Sequence, residues 1–338
     1  MTQLCDVEAF PRAPPDAPNR DRASRARDVR KVTSMDVVKI DPARLRSLPD
    51  YHFAPHFFAW QGKSVHYLDE PAIGVPMGTF LLLHGEPSWS YLYRHWIPRL
   101  TAAGYRCVAP DFLGFGGSDK PTDDNWYVIE RHCEMMRALI DSLDLHEIHL
   151  VAQDWGGPIG LRQAVDQPQR FARLFILNTW LHHEGFEYTD AIRWWRGAAT
   201  DPAMLGGDMP TGRIVAGSLR RPGHDIEAIT AAYDAPFDGP ASKAGARRFP
   251  VCIPFGDPAA GNADQQQRCY DALRSWSQCP VHVIFGTDDM IFPPAWGQAW
   301  TATIPGATYD PIVGAGHFVQ EDAPDDCVDA ILSKLQGA

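Results

Sequence analysis

Three short stretches place reactive side chains directly after apolar runs: LVAQDWGG (150–157), HVIFGTDDM (282–290) and PIVGAGHFVQED (311–322). The first presents Asp154 between small residues, Ala152 and Gly156, that permit a tight strand-to-helix turn lifting the middle side chain into the open. A carboxylate there attacks without prior deprotonation, which suits displacement at an sp³ carbon better than a serine hydroxyl would. The N–H groups opening the next helix would favour its ionised form. The third stretch carries His317, able to act as a base once an acid holds one ring nitrogen protonated. The second supplies that acid twice, as Asp288 and Asp289. Alone, Asp154 reads equally as a helix N-cap and His317 as a structural hydrogen-bonder. Their order along the chain, each where a strand ends, turns them into a site.

Such a site needs strands to present it. Apolar or alternating runs at 64–70, 78–85, 105–110, 148–154, 171–179, 279–289 and 308–317 read as strands, the continuous ones as buried. Helical patterns at 134–145 and from Gly156 to Pro168 alternate with them, which predicts a mostly parallel sheet with helices on both faces. Nucleophile, acid and histidine in that order belong to the α/β-hydrolase fold, here expected as eight strands. From about 180 to 250 the strand pattern stops and a Trp-, Gly- and Pro-rich, partly helical stretch intervenes. It reads as a helical cap inserted after the sixth strand, with 35–179 and 251–338 forming the core. HGEP (84–87) ends one buried run, so the backbone N–H groups of Glu86 and Trp155 are expected to form an oxyanion hole. His84 precedes that turn and is expected to be structural.

Composition narrows the class. A formal net charge of -11 argues against a nucleic-acid-binding surface. Seven scattered cysteines show neither zinc spacing nor a disulfide framework, so buried free thiols in a reducing, cytoplasmic setting are expected. No apolar run reaches the length of a membrane span, so no membrane partner is expected. Residues 1–34, rich in Arg, Asp, Pro and Ala, lack an apolar segment of the secretory kind and read as a flexible extension. Met35 is an alternative start.

HGEPSWSYLYRHWIPRL (84–100), APDFLGFGGSDKP (109–121), VAQDWGGPIGL (151–161), YDAPF (233–237) with KAGARRFP (243–250), and GAGHFVQED (314–322) together resemble the haloalkane dehalogenases, in the subfamily with Glu after His-Gly. The resemblance runs from about residue 40 to 335 and is weakest at 180–225. It implies hydrolysis of a haloalkane to a primary alcohol, halide and a proton, with no cofactor or metal, by a monomer. Asp154 would be the nucleophile, His317 the base and Asp289 its acid partner. Asn178 stands where another branch carries the acid, and its neutrality supports Asp289. The leaving halide would be held by indole N–H groups, which are donors with no competing acceptor. One is that of Trp155. The other comes from RWWR (193–196), where the Trp-Arg match selects Trp195 over Trp194. Epoxide hydrolysis is the nearest rival and would need acidic lid tyrosines, for which only Tyr188 and Tyr233 are available. A receptor or luciferase-like scaffold is a further alternative.

Overall fold

The computed structural model describes residues 36–335. The expected extension at 1–34, the alternative start at Met35, and Cys5 lie outside them. The apolar runs form one eight-stranded sheet: β1 (His56–Trp60), β2 (Lys63–Glu70), β3 (Thr79–Leu83), β4 (Arg106–Pro110), β5 (Ile148–Gln153), β6 (Phe171–Leu177), β7 (Val281–Gly286) and β8 (Thr308–Ile312). Their spatial order is β8-β7-β6-β5-β3-β4-β2-β1. Every neighbouring pair is parallel except those involving β2. Leu81, Leu82 and Leu83, Leu150 and Val151, and Val283 through Phe285 have no solvent exposure, as strands covered on both faces require.

β1 is the strand that pattern reading overlooks. HFFAW alternates in burial, and its two-residue hairpin turn is Gln61-Gly62, both at positive φ (46° and 74°). That geometry is usually signalled by Asn-Gly or Asp-Gly, and Gln-Gly gives no such cue. The helix expected over 134–145 spans Ile129–Ser142 instead. It stops short because the chain turns at Leu143 and enters the left-handed region at Asp144 (φ 45°).

The chain passes from β3 to β4 on one side and returns to β5 on the other, so the strand order reverses between β3 and β5. Ligands of open α/β sheets bind at the carboxyl ends of strands flanking such a reversal. Glu86 follows β3 there, and Asp154 follows β5. Between β6 and β7 lie α-helices Asp190–Thr200, Thr211–Gly217, Ile226–Asp234 and Ala244–Val251, before a fifth, Ala263–Leu273. The six described cysteines are unbonded, five of them buried. Among the described residues no helix is long and apolar enough to cross a membrane.

Candidate active site

Asp154 and Trp155 are the two residues between β5 and helix Gly156–Asp166, and Asp154 sits at φ 50°. A non-glycine residue held there stores roughly 1–3 kcal/mol of strain, so the surroundings must fix it. They do so with hydrogen bonds from Asp154 N to Asn178 O (3.0 Å), Gly157 N to Asp154 O (2.9 Å) and Thr179 Oγ1 to Asp154 O (2.5 Å). Two glycines make the close approach possible. A Cβ on Gly156 would lie 2.6 Å from Leu83 O, and one on Gly85 only 2.2 Å from Asp154 Oδ1.

The carboxylate itself is almost buried, 7% exposed. Glu86 N–H donates to its Oδ1 at 2.8 Å, and the Trp155 amide also favours the ionised form. Burial outweighs these donors and the nearby His317, so the Asp154 pKa lies above the ordinary carboxylate value. His317 Nε2 faces Asp154 Oδ2 at 3.7 Å, and its Nδ1 lies 2.9 Å from Asp289 Oδ2. Burial alone would lower the His317 pKa, but the charge and hydrogen bond of Asp289, with Asp154 behind, raise it overall. Asp289 is fixed on every side. Its Oδ1 accepts from Ile291 N (2.7 Å) and Phe292 N (3.0 Å), and its Oδ2 from Asn178 Nδ2 (2.7 Å) as well as from His317. The alternative acid, Asp288, is exposed and hydrogen-bonded by Thr287 Oγ1.

Asp154, His317, Asp289, Glu86 and Trp155 are therefore brought together, and all but Asp289 line one cavity of about 440 Å³. The rest of its wall is largely apolar, including Ile192, Leu205, Ile214, Ile253, Phe292 and Phe318. Both tryptophans of helix Asp190–Thr200 reach it: Trp195 half-buried against the core, Trp194 59% exposed. Glu86 has a buried carboxyl whose Oε1 has no partner, and burial beside Asp154 pushes its pKa well up. His84 lies behind the turn, with Nε2 accepting from Phe112 N (3.0 Å) and Nδ1 donating to Gly85 O (2.8 Å). Neither tyrosine of the epoxide reading is on the cavity wall. Tyr233 donates to Glu321 Oε2 (2.8 Å), and the Tyr188 hydroxyl meets His182 Nδ1 (2.9 Å).

Sequence reading missed two contributors. Trp180 follows β6, is 3% exposed, and packs edge-on against Trp155 with ring centroids 4.9 Å apart. Its only signal was a tryptophan two residues beyond Asn178. Gln153, the residue before the nucleophile candidate, is fully buried beside the His317 ring. Among the described residues no group of three or more His, Cys, Asp or Glu side chains is arranged to hold a metal.

Residues 78–324 match the α/β-hydrolase fold family. A haloalkane dehalogenase of Mycobacterium marinum is 40% identical over 310 residues, covering 88% of this chain and 99% of its own length. One from Psychrobacter cryohalolentis is 38% identical, covering 85% and 94%. Among solved structures, the tetrameric haloalkane dehalogenase DpaA from Paraglaciecola agarilytica superposes with a TM-score of 0.78 at 33% identity, covering 88% and 99%. The chain belongs to the haloalkane dehalogenase family of α/β-hydrolases.

Proposed function

We propose that the chain cleaves carbon–halogen bonds of haloalkanes by a covalent route through Asp154. The observation that carries this reading is the division of labour between the two Asp154 oxygens. Oδ1 is tied to Glu86 N–H at 2.8 Å, while Oδ2 lies 3.7 Å from His317 Nε2. Oδ2 is then the attacking atom, forming the carbon–oxygen bond as the carbon–halogen bond breaks and halide leaves with the bonding pair. Oδ1 becomes the carbonyl oxygen of the ester, already seated against the Glu86 amide, which with the Trp155 amide would stabilise the oxyanion of the next step. His317 takes a proton from water, whose oxygen attacks Asp154 Cγ. The ester collapses to the primary alcohol and the Asp154 carboxylate, and the proton on His317 is released. Asp289 keeps Nδ1 protonated, so that Nε2 is the base, and offsets the charge the ring acquires.

A halide leaving into this apolar cavity needs donors, since an unpaired anion there is costly. Trp155 and Trp195 are assigned as the indole pair, and the half-burial of Trp195 supports it over the exposed Trp194. The cap is assigned to 180–250, its two pieces of core to 35–179 and 251–338. The reading includes a monomer, which light scattering would test against a tetramer of the kind described for DpaA.

The deciding experiment is halide release across chloro-, bromo- and iodoalkanes of graded length, run beside diol formation from a terminal epoxide. His317→Ala should release one equivalent of halide and retain a covalent alkyl adduct, seen by intact mass. No halide from any substrate, or no adduct on that variant, would overturn the proposal.

A further inference from the structure

We propose that Gln153 is a positioning residue for the proton that His317 takes up, its amide turning over between the neutral and the protonated ring. The inference rests on the reading of Asp154 as nucleophile and His317 as base.

Gln153 ends β5 and has no solvent exposure. Its Nε2 lies 3.1 Å from His317 Nε2 and 3.4 Å from the His317 carbonyl oxygen, while its Oε1 is buried with no hydrogen-bond partner. These observations fit one protonation state. With Nδ1–H donating to Asp289, the neutral ring offers a lone pair at Nε2, and the amide N–H donates to it. The amide oxygen is then stranded, and a buried unpaired acceptor is unfavourable.

Protonation reverses the geometry. Once Nε2 carries a hydrogen, an amide N–H opposite it becomes a donor facing a donor. A half-turn of the carboxamide about its last side-chain bond brings Oε1 to the same place. The oxygen unpaired in the resting state then accepts from the imidazolium. Among the described residues no other acceptor lies within hydrogen-bond reach of His317 Nε2. Asp154 Oδ2 is 3.7 Å away, and in the alkyl-enzyme it is an ester oxygen without charge. Nε2 has a single lone pair, so the amide N–H must leave it as the hydrolytic water donates there; the half-turn accompanies that proton transfer, and its effect falls on ester hydrolysis, not on the alkylation that precedes it.

The test uses Gln153→Met, close in shape but lacking both N–H and C=O, and Gln153→Glu, which as a carboxylate offers only acceptors. Rapid mixing with a bromoalkane should give Gln153→Met a halide burst near one per site. Steady-state turnover should fall about tenfold or more, roughly 1.4 kcal/mol per factor of ten. Intact mass should show the alkyl-enzyme accumulating. Gln153→Glu should move the acid limb of the kcat profile upward by about one pH unit or more, a shift that a filler of space would not cause. Turnover within twofold of the parent and an unmoved acid limb would overturn the inference. If Gln153→Met does not fold, the Glu variant and a ¹⁵N-histidine titration of the unsubstituted protein decide, a neutral His317 Nε2 free of hydrogen bonding counting against it. Failure of the underlying reading looks different: the parent gives no burst and His317→Ala holds no adduct.

Discussion

The tightest contact at the site yields the sharpest prediction. Adding one methyl group at Gly85 would put a carbon 2.2 Å from Asp154 Oδ1, 2.3 Å from its Cβ and 2.6 Å from its Cγ. Ordinary contact begins about 1 Å further out, so Gly85→Ala must displace the Asp154 side chain by roughly that much. Asp154 Cβ, fixed to the main chain, is among the atoms in the way, so the carboxyl and the backbone of the turn must shift together. That movement breaks the 2.8 Å bond from Glu86 N–H and withdraws the attacking oxygen from its line of approach. A 1 Å misplacement costs on the order of 10²-fold, and loss of an oxyanion donor about 10²–10³-fold. Both arise from one displacement and do not multiply, so kcat should fall roughly 10²–10³-fold. Halide release from a bromoalkane measures it, with thermal unfolding by circular dichroism as the control. Turnover within tenfold of the parent at an unchanged Tm would refute the reasoning, because Asp154 would then not depend on its seat beside Gly85.

Trp195→Phe should slow the halide burst about tenfold or more, the loss expected for one donor to a buried anion. The same effect from Trp194→Phe would move the assignment by one residue. His317 has a raised pKa, and its base form exists only above it, so activity should fall with acidification through a midpoint above the ordinary 6.5. Asp289→Asn removes the largest raising cause and should lower that midpoint along with turnover; a parent midpoint below 6.5 contradicts the electrostatics. His132 concerns stability. Burial among Phe112, Tyr127 and Phe249, with both ring nitrogens unpartnered, lowers its pKa to about 3. A histidine neutral in the fold and basic when unfolded contributes full stability above about pH 6.5 and loses it as pH falls toward 3, at about 1.4 kcal/mol per unit. The fold should thus lose about 2 kcal/mol from this group between about pH 6.5 and 5, with His149 and His282 adding in the same direction. His132→Leu should flatten the slope of urea unfolding against pH, and an unchanged slope would contradict it.

Much of this was legible in one dimension because it rests on local physics. Continuous apolar runs such as FLLL and LVA, bounded by turn residues, read as strands buried on both faces, and small residues around Asp154 permit a turn that larger ones forbid. Order along the chain then supplied candidates for nucleophile, acid and base. Questions of facing were not legible. Asp288 and Asp289 are chemically identical neighbours, and only the loop after β7 turns one toward His317 Nδ1 and the other to solvent. Trp194 and Trp195 differ by about 100° around one helix, and the packing of that helix on the core sets which is half-buried. β1 was hidden because a Gln-Gly turn carries no distinctive signal. Trp180 and Gln153 escaped notice because their significance lies in what they meet, an indole 25 residues away in one case and a ring 164 residues away in the other. The sequence by itself determined which groups are present and the strand ends that carry them. The tertiary structure alone decided which atoms face one another, because hydrogen bonds and van der Waals contacts act over a few ångströms of space whatever the separation along the chain.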